Sequence, residues 1–496
     1  MKANLPTDAR HRILVATSVS YTLVLLDASI VNVALREIAR TLDSHVAGLQ
    51  WIVNAYTLTF ASLLLTGGTL CDRLGARNVY IAGLAVFVAA SVLCGFAPNL
   101  TALALARVLQ GVGSAMLVPC SLALINRAYP DPGERAAAVS VWMGCGGVAM
   151  AAGPLIGGLL IQLFGWRSIF FVNLPIGLAG VWLARSAARM DAERTRHFDW
   201  MGQAAAIVAL GTLIGVLIEG PSLGWRATPI VAGIAVCCVA WIALIAIEAR
   251  VRNPMLPLAF FRSALFAGST FVSMASAFVF YGLMFTFSLF FQQVRGESPL
   301  AAGLAFLPMT AMVAAGGLLS SRLVRRFGGR WPMCAAFGLY AAGALGMMLS
   351  TATSPYWFAV TPMLVIGFAS GFISPAATSP ALGAVAKGRA GIAAAVLNTA
   401  RQSGSALGVA IFGAFIATLQ PFRFAMHVAL AVAIGLSVLA AAVWWATSRT
   451  AANGHPGGRQ PALSAGGSHS ATSFSRPGNR KSRSSVRTRL RRSSPY

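Results

Sequence analysis

Fourteen apolar runs, each of about 19 residues or more, decide what this 496-residue chain can become. They fall near residues 13–35, 48–71, 79–97, 101–125, 136–162, 167–186, 199–219, 228–248, 264–291, 300–321, 331–351, 355–380, 389–418 and 425–446. A helix needs about 20 apolar residues to cross a bilayer core, whereas a spanning strand needs only ~9–11. Runs of this length therefore predict membrane-spanning helices and exclude a barrel. The expected fold class is an all-α polytopic membrane protein with fourteen transmembrane helices.

Charge then orients the bundle. The formal net charge is +25, which would suit a nucleic-acid binder if the basic residues clustered on one folded surface. They do not. Ten lie beyond Trp445, and nearly all the others occupy short loops between apolar runs, twenty on the side of the N-terminus and six opposite. That asymmetry places the basic loops, and with them both termini, in the cytoplasm. The seven cysteines lie in or beside apolar runs with no metal-ligand spacing, so they read as small buried hydrophobes. Residues 448–496 are rich in Ser, Gly, Pro and Arg without periodicity, and are expected to form a disordered basic cytoplasmic tail.

Two halves repeat one pattern. Arg73-Leu-Gly75-Ala-Arg77 recurs as Arg326-Phe-Gly328-Gly-Arg330 at an offset of 253 (326 − 73). Gly111, Ser114 and Pro119 recur as Gly367, Ser370 and Pro375 at an offset of 256 (367 − 111). The expected organisation is a six-helix half over residues 1–190, two inserted helices over 191–258, a second six-helix half over 259–447, and the tail. Parallel repeats around a midplane cavity are a secondary-transporter architecture. The halves differ in charge: the counterpart of Asp27 falls within Ser273–Phe280, which has no acid, and that of Arg107 is Met363.

Asp27 is the one charge in the run 13–35. A carboxylate at that depth costs ~2.5–3.5 kcal/mol on insertion scales, so it must face a wet cavity or a partner. Arg107 lies in the fourth run and cannot shed its proton; Asp27 is the mid-helix acid available to it. Opening and closing a cavity around the pair would load and release a proton at Asp27. The loop Gly68…Asp72-Arg73-Leu-Gly75-Ala-Arg77 sits at two helix ends, where Gly75 permits a tight turn and the charges can latch one conformation. An ordinary positively charged turn is the plainer reading. Cys145, Ala149, Gly153 and Gly157 form a small-residue stripe on the fifth helix that lets another helix approach, and Gly153-Pro154 adds a bend. Asn32, Asn54, Tyr56, Gln110, Asn398, Arg401 and Gln402 are polar residues in apolar runs that either line the cavity or hydrogen-bond between helices. No phosphate-binding loop or catalytic constellation is visible, so an ion gradient, not a cofactor or metal, is the expected energy source, and no enzyme is expected.

These motifs together resemble the fourteen-helix multidrug:proton antiporter branch of the major facilitator superfamily. Leu26-Asp27-Ala-Ser29-Ile-Val-Asn32 looks like its helix-one motif, and Gly68…Asp72-Arg73-x-Gly75-x-Arg77 like the superfamily's loop between helices two and three. Arg107-x-x-Gln110-Gly111-x-Gly113 resembles the helix-four proton-transfer motif, and Gly153-Pro154-x-x-Gly157-Gly158 the antiporter motif of helix five. The resemblance implies proton-driven export of small amphipathic, often cationic compounds across the inner membrane of a bacterium. The implied partners are substrate, protons and lipid, with no nucleic acid, and the protein acts as a monomer or with a periplasmic adaptor. An uptake symporter of the same fold and a non-transporting receptor or scaffold are the alternatives.

Overall fold

The structure, a computed structural model, describes residues 7–185, 199–251, 256–386 and 389–453. Fourteen helical spans follow the predicted runs. They are α1 (Thr7–Thr41), α2 (Val46–Leu74), α3 (Ala76–Gly95), α4 (Leu100–Ala128), α5 (Pro132–Phe164), α6 (Ser168–Arg185), α7 (Trp200–Leu223) and α8 (Thr228–Arg250), then α9 (Ala264–Val294), α10 (Pro299–Phe327), α11 (Arg330–Met347), α12 (Trp357–Gly383), α13 (Ala390–Thr418) and α14 (Phe422–Asn453). Twelve are long and apolar enough to cross a membrane; α11 and α13 complete the set.

Local chemistry sets several helix starts. Asp131 caps α5, accepting from the Gly133 and Glu134 amides, with Pro132 in the first turn. Asn99, Asp199, Ser263 and Ser298 cap α4, α7, α9 and α10 in the same way. Gly75 joins α2 to α3 at φ 88°, and Gly328 closes α10 at φ 76°; both lie in the region that favours glycine. The repeat noted in the sequence thus marks the same sharp turn twice.

Two features depart from the sequence expectation. The sixth span is interrupted at Val172 and restarts at Asn173. Helix α5, for which a bend is expected at Gly153-Pro154, is one helix that contains Pro154. Helix α14 continues through Asn453, into the stretch expected as tail; the tail from residue 454, and the segment 186–198 between the first half and the inserted helices, lie outside the described residues.

The apolar cores show how the halves meet. One cluster belongs to the first half, with Tyr80, Phe87, Val118 and Ile125 among its members. Another belongs to the second half, with Phe287, Met309, Met363 and Ile366. A third crosses between them, joining Ile30, Ala34, Ile38, Ile52 and Phe170 to Phe285, Leu289, Val409 and Ile416. The residues of that shared core come from helix ends on the side opposite the start of α1, and from the turns that join them. The halves are joined at that end. Of the inserted helices, α7 lies along the seam, its Ile214 and Ile218 packed on Ala406 and Ala410 of α13, while α8 packs on α7 and turns Val239 and Ile242 outward.

Candidate functional site

Asp27 is fully buried, and three donors converge on it. Arg107 Nη1 pairs with Oδ2. Gln110 Nε2 donates to Oδ1 at 3.2 Å, and Asn173 Nδ2 donates to the same oxygen at 3.1 Å. Arg107 and Gln110 are three residues apart on α4 and so share one face. Asn173 opens the second segment of α6, which is what the interruption at Val172 achieves: it points an amide at the carboxylate.

The surrounding groups complete the network. Arg107 also donates from Nε to the Ile52 carbonyl at 3.1 Å and from Nη1 to Gln110 Oε1 at 2.8 Å, and its guanidinium lies 4.3 Å over the Tyr56 ring. Gln110 and Asn173 both donate to Ser91 Oγ, at 2.7 and 3.3 Å. Tyr56 donates to the Val24 carbonyl at 3.2 Å and accepts from Ser114 at 3.0 Å. Removing two charges from water is costly unless hydrogen bonds meet their remaining valences. Five helices of the first half meet that demand here. Asp27 therefore takes the partner, not the open cavity, in this conformation.

The pair lies next to the joined end. There Gln50 of α2 donates to the Val409 and Ala410 carbonyls of α13 at 3.1 and 2.7 Å, Ser288 of α9 donates to the Asn32 carbonyl, and Arg36 donates to the Glu297 carbonyl at 3.4 Å. Helix α5 has two working faces. A Cβ on Gly153 or Gly157 would strike Ser29 or Ile30 of α1, within its own half. A Cβ on Gly158 would come within 2.8 Å of Leu300 Cα, and one on Gly303 within 2.2 Å of the Pro154 carbonyl, so Pro154 and Gly158 form the contact with the other half. Thr310 of α10 adds a hydrogen bond to the Ala151 carbonyl at 3.1 Å.

Arg77 and its repeat partner each act within their own half in this conformation. Arg77 donates to the Ala184 and Arg185 carbonyls at 3.3 and 2.6 Å, binding the end of α6. Its repeat partner Arg330 reaches the end of α14, donating to Ser448 at 3.1 Å and lying over Trp445. Arg73 is exposed and Asp72 half-buried. Gly68 makes only an ordinary contact with Pro119, whereas its neighbour Gly67 is the close approach, its Cβ position 2.0 Å from the Ala115 carbonyl.

Of the polar residues proposed for a cavity, Asn32, Asn54, Tyr56 and Gln110 are enclosed, and Asn54 has no hydrogen-bond partner among the described residues. Asn398, Arg401 and Gln402 keep partial exposure. Arg401 donates to Ser374 Oγ at 3.0 Å and to Asn398 Oδ1. Ser91, Gln50 and Asn173 are polar residues in or beside apolar runs whose part in the site sequence spacing does not single out. Nor does it single out Glu219 of α7, which accepts from Trp51 Nε1 at 2.6 Å and fastens the inserted helix to α2. An acid at the end of an apolar run was the available signal.

Comparison with known proteins agrees with this architecture. A family model described as the Major Facilitator Superfamily matches residues 17–202 and 198–409. The chain is 35% identical over 442 residues to the methylenomycin A resistance protein of Streptomyces coelicolor, covering 88% of this chain and 93% of that protein. It is 36% identical over 414 residues to the multidrug resistance protein Stp of Mycobacterium tuberculosis, covering 82% and 77%. To the tetracenomycin C resistance and export protein of Streptomyces glaucescens it is 33% identical over 408 residues, covering 82% and 76%. Among solved structures, the POT family transporter PepTSo superposes with a TM-score of 0.66 at 14% identity, over 89% of this chain and 98% of that one. A bacterial homolog of the human lysosomal transporter Spinster, inward-facing and unoccupied, does so at 0.61 and 19%, over 90% and 98%.

Proposed function

The chain belongs to the Major Facilitator Superfamily and is a multi-pass membrane transporter, not an enzyme; from that premise we propose that it exports small amphipathic compounds, antibiotics among them, in exchange for protons. Relatives named for antibiotic resistance and export support the direction of transport. The observation that carries the coupling is the buried pair of Asp27 and Arg107, held beside the end where the halves meet. With both termini in the cytoplasm, that end faces outward, and the cycle rocks one half against the other. Parting the halves there admits water and a proton to Asp27. Neutralised, Asp27 no longer holds Arg107, and substrate is discharged outward. Closure returns the pair to the arrangement described above, and the proton leaves inward. The small faces of Pro154 and Gly158 on α5 against α10 let that end close tightly. The loop arginines steady the sixth helix of each half at the opposite end. A monomer in the inner membrane suffices for this cycle, and a periplasmic adaptor would only extend the route beyond it.

An Asp27→Asn variant tests the reading in cells loaded with a fluorescent amphiphile. Efflux stops, while the amount of folded protein in the membrane stays at the wild-type level. Unchanged efflux would remove Asp27 from coupling, and gradient-driven accumulation by the wild type would favour an uptake symporter.

A further inference from the structure

Arg401 is the second arginine sunk into the bundle, and nothing in the export cycle above uses it. It lies three residues from the midpoint of α13 (residue 404), about 4.5 Å along the axis. Its guanidinium meets only neutral groups, Ser374 Oγ and Asn398 Oδ1, and no carboxylate among the described residues pairs with it. Its electrostatic neighbours are Tyr21 of α1 and Tyr281 of α9. Tyr21 belongs to the first half and is stacked on Trp142 of α5 at 3.9 Å, so the field of the Arg401 charge reaches across to the other half. Arg401, Tyr21 and Tyr281 are all partly exposed. A permanent cation at that depth, partly exposed and with no carboxylate partner among the described residues, is completed by an anion that enters from solvent. Tyr21 and Tyr281, within its electrostatic reach, are aromatic side chains that offer apolar surface to the rest of such a molecule.

We propose that Arg401, with Asn398 and Ser374, binds the carboxylate of an amphipathic anionic substrate between the halves. The proposal rests on the export reading and refines it: the cargo is acidic rather than cationic. The negative site of the first half is already filled by Arg107, so a cationic cargo has no free carboxylate there to meet.

The full-length protein, purified in detergent, is titrated calorimetrically with 1-naphthoate and with methyl 1-naphthoate, which share size and apolar surface but differ in charge. The wild type prefers the carboxylate. Arg401→Gln weakens its binding at least about tenfold and leaves the ester unchanged, and Arg401→Lys retains most of it. Asn398→Asp provides a variant that keeps the arginine but supplies an internal counter-ion; it too loses naphthoate selectively. A wild type with no preference for the carboxylate, or an Arg401→Gln protein that loses both ligands equally, overturns the proposal in favour of a packing role. Proteoliposomes separate this from the premise: absence of gradient-driven efflux of both naphthoate and its ester defeats the export reading, whereas efflux of both without carboxylate preference defeats only the anion site.

Discussion

In the first half Arg107 is 1% exposed and faces Asp27; in the second, Arg401 keeps partial exposure and meets only Ser374 and Asn398. The surroundings differ as sharply. Gly111 abuts the Tyr56 carbonyl as Gly367 abuts that of Met309, so the same α-helical crossing is built twice. Around it the first half places Tyr56, Arg107 and Gln110, where the second has Met309, Met363 and Ile366, all fully buried. Within Ser273–Phe280, the counterpart of the Asp27 segment, Ser276 shares a neutral hydrogen bond with Tyr340 at 3.2 Å. One backbone design thus carries a closed ion pair in one copy and a packed apolar core in the other. The difference is one of charge placement: the buried carboxylate and its arginine sit together in one half, and the other half carries an arginine held by neutral groups.

The contrast predicts that the polar core is the fragile one. Arg107→Met should lower stability by about 3–5 kcal/mol, because Asp27 is left buried and unpaired. Adding Asp27→Asn to it should recover most of that loss, read as the thermal midpoint of the purified protein. No recovery would mean that the network does not act as a charge pair. A smaller effect is expected where the halves touch. Gly158→Leu overfills the contact with Pro299 and Leu300, costing about 1–3 kcal/mol of that interface. It should hold the joined end apart, measured as raised labelling of a cysteine placed at Asn32, whereas Gly147→Leu, with open space around it, should not. The smallest differences concern the repeated turns: Arg77→Ala and Arg330→Ala should each cost about 0.3–1 kcal/mol, since each removes contacts at one helix C-terminus. A much larger loss from either alone would show that the loops bridge the halves in a second conformation.

Much of this was legible beforehand. All fourteen spans could be located, because apolar length is a local property. Asp27 and Arg107 could be matched, because the first four apolar runs held one acid and one base at depth. Other features were hidden. Asn173 was readable as a polar residue in an apolar run, but only the break at Val172 aims it at Asp27. Gly67, not Gly68, carries the close approach to α4, a difference of 100° around one helix that spacing alone does not resolve. Likewise Gly153 and Gly158 share a motif yet face different halves.

The sequence by itself settled that this chain crosses a membrane many times, that a turn and a helix motif recur at near-equal offsets, and that an acid buried in oil needs company, since hydrophobic length and the cost of a bare charge follow from residue type and position along a helix. Only the packed bundle decided which groups provide that company, which end of the molecule is shut, and which buried arginine meets no carboxylate among the described residues. Those outcomes depend on how each helix is rotated about its axis and where it crosses its neighbours, and these are set jointly by contacts between residues more than a hundred positions apart.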